Sequence, residues 1–172
     1  MRRLFLFIIA IVILGYGGWK VAERRHYLSF APCGMDVSGI AYMKNEAWGI
    51  GLPGDNETGI VVYRLPGSVA EAIEAQGIDY FRTLKCDVRK YGRRGQYRSW
   101  LETPVAPDRR WGEQIKVSSY LNRYGFGIPV RRSVEVMVDQ AISAPGAFYA
   151  YGRIGTILVI PTEHRAVFMY AG

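Results

Sequence analysis

Eleven consecutive apolar residues, Leu4 to Leu14, follow Met1-Arg2-Arg3, and they constrain this chain more than any other feature. A helix built from such a run has no polar face to turn to water, so it must be surrounded by apolar material on every side. The run thins through Gly15-Tyr16-Gly17-Gly18-Trp19 to Lys20, which gives the charged head and apolar core of an export signal. From Leu4 to Ala22 there are 19 residues, about 28 Å of helix against the roughly 30 Å core of a bilayer. Tyr16 and Trp19 suit the far interface, and Lys20 can carry its ammonium outward on an apolar stem. No Ala-x-Ala follows the run, and Gly15 and Gly17 fit a cleavage site only by size, so an uncleaved anchor is expected.

Orientation is set less firmly than the span. Arg2, Arg3 and the amine on one flank nearly balance Lys20, Arg24 and Arg25 on the other. A three-residue head normally leaves the N-terminus in the cytoplasm, and the expected layout follows from that. Residues 1–22 form a signal anchor in a bacterial inner membrane, 23–32 a charged and aromatic stalk, and 33–172 a single periplasmic domain. A lipid-modified cysteine does not fit, because Cys33 stands well beyond the apolar run behind Phe30-Ala31-Pro32. In an oxidising compartment Cys33 and Cys86 most simply form one disulfide, closing a loop of 54 residues and contributing at most about 4 kcal/mol. The competing reading is two buried, reduced thiols acting as small apolar residues.

The rest of the chain has globular composition. Over 172 residues, 49% are apolar and 22% charged, which excludes collagen-like, coiled-coil and low-complexity classes. Gly39 to Lys44 and Trp48 to Leu52 read as a hairpin around Asn45-Glu46, and Ile60 to Leu65 as a strand. Ser68 with Glu71 three residues on forms a capping box for a helix that Gly77 stops. Asp79 to Lys85 reads as a further helical turn, with Tyr80, Phe81 and Leu84 on its apolar side. Another helix is expected between Gly112 and Tyr124. Ser133 to Ile142 fits both periodicities and is assigned to helix, because Ser133 can cap it and Ala144-Pro-Gly ends it. Ala147 to Tyr151, Thr156 to Ile160 and Ala166 to Tyr170 read as strands. The pattern implies an α+β domain with an antiparallel sheet and two to three helices on one face.

Charge locates the candidate site. The net charge is +7, but residues 1–26 hold five basic residues against Glu23. From Arg82 to Arg98 seven basic residues stand against Asp87 alone, so the remainder of the domain is mildly acidic. This distribution makes the basic isoelectric point a poor argument for nucleic acid. Tyr91, Tyr97 and Trp100 interleave the basic window, and Gly92 and Gly95 imply a turn with Arg93 and Arg94 at its tip. Arginine and aromatic side chains together suit an anionic or planar partner. The candidate binding residues are Arg89, Lys90, Arg93, Arg94, Tyr97, Arg98 and Trp100. The bland alternative is a solvated loop near an anionic membrane surface, with each charge worth about 1 kcal/mol.

Other motifs carry less. Gly49-Ile-Gly51-Leu-Pro-Gly54 matches G-x-G-x-x-G, but Pro53 and an acidic turn follow where a phosphate-binding helix should open. Asn56-Glu57-Thr58 is an acceptor sequon that is incidental in a bacterium. No cofactor is implied, and no metal-ligand spacing exists. The expected function is binding, as an accessory protein of the envelope recognising an acidic protein or anionic surface. Two alternatives stand beside it. One is a periplasmic hydrolase or thiol enzyme using carboxylates or a Cys33 or Cys86 thiolate with His164; the other is an accessory subunit of a larger membrane complex.

Overall fold

The structure is a computed structural model that describes residues 2–47, 57–87, 93–111, 114–125 and 127–172. Helix α1 (Arg2–Leu28) runs for 27 residues, about 40 Å. Every residue from Ile9 to Ala22 is exposed, Leu14 at 75%. Among the described residues no helix is long and apolar enough to cross a membrane. The 19-residue count made from sequence takes in residues 4–6 and 8, whose side chains lie outside those described.

Within the segment expected as a stalk, Tyr27 near the end of α1 and Phe30 and Ala31 just after it are buried in the main core, so that this foot of the helix is set into the domain, while Arg24 to His26 stay exposed. Two aromatic rings and a methyl group close together are better accommodated by the core than by water. The folded domain therefore takes in residues ahead of Cys33.

Six antiparallel strands form one sheet in the order β1-β2-β6-β5-β4-β3. They are β1 (Gly39–Ala47), β2 (Glu57–Arg64), β3 (Leu101–Glu102), β4 (Phe148–Tyr151), β5 (Thr156–Ile160) and β6 (Arg165–Ala171). The three C-terminal strands lie where the sequence reading expects them. The first hairpin is different, since β1 continues through Asn45 and Glu46 and pairs Ala47 with Glu57. Trp48 to Leu52 and the glycine motif lie outside the described residues.

Alternation along the central strands separates two cores. Val61, Tyr63, Phe148, Ile157, Val159 and Phe168 face one way; Ile60, Val62, Tyr149, Leu158, Val167 and Met169 face the other. On the first face lie α2 (Gly67–Gln76), α3 (Ile78–Thr83) and the foot of α1. On the second lie α4 (Val117–Leu121) and α5 (Arg132–Ser143), the latter through Val134, Val138 and Ile142 at helical spacing. Helices thus cover both faces, not one. The physical reason is that β5 is buried at every position, as a strand must be when both sides are packed.

Helix ends also depart in detail. Pro66 is the N-cap residue of α2 and its carbonyl accepts from Ala70 at 3.0 Å, so Ser68 lies inside the first turn and caps nothing. Gly77 does end the helix, with φ 60° and its N–H bonded to Ile73 O at 2.7 Å. The helix expected between Gly112 and Tyr124 is reduced to the five residues of α4. No side chain caps α5, which begins at Arg132.

Candidate functional site

The basic segment is docked on the foot of α1. Gly95 lies against the backbone of Ala31, where any β-carbon would meet the Ala31 carbonyl, and Cys33 N–H donates to Gly95 O at 2.9 Å. Tyr97 O–H donates to Phe30 O at 2.7 Å. These contacts hold the turn at Arg93 and Arg94 beside the helix. The Arg94 guanidinium approaches Nδ1 of His26 at 3.1 Å and lies 5.4 Å from the centre of the Phe30 ring. Burial, and then the Arg94 charge, hold the His26 imidazole below its ordinary pKa against an opposing pull from Glu57. The neutral ring can therefore accept the Arg94 N–H.

The predicted binding residues divide into two groups. Arg93, Arg94 and Arg98 are exposed. None of them pairs with a carboxylate among the described residues. Tyr97 and Trp100 turn inward, and Trp100 stacks on Phe81 with ring centres 4.2 Å apart. Their role is packing that fixes the arginine turn. Arg89 and Lys90 lie outside the described residues.

The disulfide joins Cys33 to Cys86, with Cα atoms 5.2 Å apart. It ties the foot of α1 to the chain just after α3. With both sulfurs bonded there is no thiolate at either position, which opposes the expected alternative of a Cys–His nucleophile. Beside the bridge a cavity of about 320 Å³ is lined by Phe81, Trp100, Gln96 and Arg98. A second hollow of about 390 Å³ lies between Arg25, Leu28, Asp36 and Val37. Asp36 is the carboxylate among the described residues that line them.

Sequence reasoning missed a polar latch. Glu57 Oε1 accepts from Tyr27 O–H at 2.7 Å, Asn45 Nδ2 at 3.0 Å and Tyr170 O–H at 3.0 Å. Tyr63 O–H adds a bond to Tyr27 O at 2.6 Å. Burial first, and for Tyr27 then the bond to Glu57, raises the phenol pKa of Tyr27 and Tyr170. Both stay protonated donors, and the cluster fastens α1 to β1, β2 and β6. Gly59 makes room for it, since a β-carbon there would run into the Tyr170 ring. A second cluster on the opposite face joins Trp111 Nε1 to Tyr151 O–H at 3.2 Å, with the Arg110 guanidinium 3.8 Å from the centre of the Tyr151 ring. Burial, then the bond to Asp108, pushes Tyr151 up to about 12.

Compared with known proteins, the chain matches no family model, no curated protein and no solved structure.

Proposed function

We propose that this chain is a membrane-tethered domain of the bacterial envelope, lying outside the cytoplasm, that acts by binding an acidic protein or anionic surface through the exposed arginines of its basic segment. The observation that carries the reading is the bare stretch of α1: an apolar helix exposed on all sides from Ile9 to Ala22 that continues without a break into the core at Tyr27. Water is a poor solvent for such a helix, and a bilayer is a good one. The Cys33–Cys86 bridge supports an oxidising compartment for the domain.

The test is extraction and protease access on cells expressing the full chain. The tether should resist alkaline carbonate, and protease added to spheroplasts should digest the domain. Release by carbonate, or a protected domain, would overturn the reading. Charge reversal at Arg93 and Arg94 should abolish partner capture while the circular dichroism spectrum stays folded. Unchanged capture would move the interface elsewhere.

A further inference from the structure

We infer that Arg24, Arg25, Arg93 and Arg94 form a collar at the foot of α1 that binds the headgroups of anionic phospholipids. The inference rests on the tether reading and names its partner. If the hydrocarbon layer ends near Ala22, the rise of the helix places Arg24 to His26 about 3 to 6 Å beyond it. The headgroup layer is about 5 to 7 Å thick on each side, so these residues stand at phosphate depth. Arg94, 68 positions away in sequence, is brought to the same level by its 3.1 Å contact with His26. Arg93 is its neighbour in the turn. All four arginines are exposed.

Nearby carboxylates do not cancel the collar. Glu23 is paired with Lys20 at 2.8 Å, and Glu57 and Asp36 together set two negative charges against the four positive ones of the collar. A guanidinium carries five N–H donors, so Arg94 keeps donors for a phosphate while one meets His26. The hollow beside Arg25, with Leu28, Ala31 and Val37 on its walls, adds room for a headgroup at this level. An acidic protein is a poorer fit, because Arg24 and Arg25 sit within one turn of the apolar stretch, where a protein partner would meet the bilayer first.

The experiment places the full chain in nanodiscs of phosphatidylcholine alone or mixed with phosphatidylglycerol, and follows hydrogen exchange of residues 93–98. Exchange should slow in the mixed discs and recover at high salt. Each arginine near an anionic surface is worth about fivefold in the docked population, so R93E/R94E, which removes two positive charges and adds two negative ones, should lower it at least about thirtyfold. R93K/R94K, which keeps the charge, should retain the slowing. R25E, which leaves both side chains of the Arg94–His26 contact in place, should lower it at least about fivefold and covers the case in which R93E/R94E fails to fold. Equal exchange in the two lipids would overturn the collar, as would loss of acidic-protein capture in R93E/R94E with the lipid effect intact. A chain that enters neither kind of disc would instead sink the tether, and the collar with it.

Discussion

The two faces of the sheet are covered in different ways. The second face is roofed by groups that follow closely in sequence, Val105, Trp111, α4 and α5, which pack over Ile60, Val62, Leu158 and Val167. The first is roofed by remote pieces: the foot of α1, then α2 and α3, then Tyr97 and Trp100. A cover assembled from remote pieces loses more chain entropy on closing than a local one. This is the face that carries the disulfide, the Glu57 latch and the exit of the apolar helix. The disulfide and the Glu57 latch thus stand where α1 meets the domain, while the opposite face has no disulfide and relies more on packing, beside its Trp111–Tyr151 bond.

Substitutions can break that comparison, and the largest effect is expected on the packed face. Trp111 is 1% exposed and packs against Tyr120 in a tilted pair with ring centres 4.9 Å apart. Trp111→Ala should cost about 3 to 5 kcal/mol in urea unfolding of the full chain in detergent, with the disulfide intact. Next comes the double change Cys33→Ser with Cys86→Ser, expected to cost about 2 to 4 kcal/mol. Its sharper signature is where the loss falls. Hydrogen exchange should rise first in residues 27–33 and 95–100, with α5 still protected. If α5 opens together with the helix foot, the two covers form one cooperative unit and the contrast drawn between them fails.

What was legible in sequence follows the same division. The strands Thr156 to Ile160 and Ala166 to Tyr170 are dense β-branched and aromatic runs bounded by turn residues, and local propensity is enough to place them. The α5 stripe and the Gly77 stop are likewise local signals. The two-sided sheet was present in the same runs, because Ile157-Leu-Val-Ile is apolar at both alternations, but reading it required weighing β5 as buried on both sides. The latch carried no local signal at all. Tyr27, Asn45, Glu57 and Tyr170 become neighbours only when β6 pairs with β2 and the foot of α1 crosses them. Tyr97 and Trp100 show the limit for the candidate site. Their spacing among arginines fits recognition, and only the fold reveals that Phe81 and Phe30 O engage them.

The smallest expected effect tests whether the basic turn is held by the helix foot. The folded-state pKa of His26 lies below the ordinary value of 6.5, through burial first and then Arg94. As pH falls through about 6.5 the unfolded chain takes up a proton that the folded chain resists, so stability declines there. It levels off once the folded imidazole also protonates, and above 6.5 this contribution is fully present. His26→Gln removes the titrating group, so the pH dependence of its melting temperature between 8 and 5 should be shallower than that of the native chain. Carboxylates that titrate in both proteins cancel in the difference. Parallel curves would mean that neither burial nor the Arg94 charge bears on the titration of His26. The arginine turn would then be held beside the helix by the Gly95 and Tyr97 bonds, with no contribution from the imidazole.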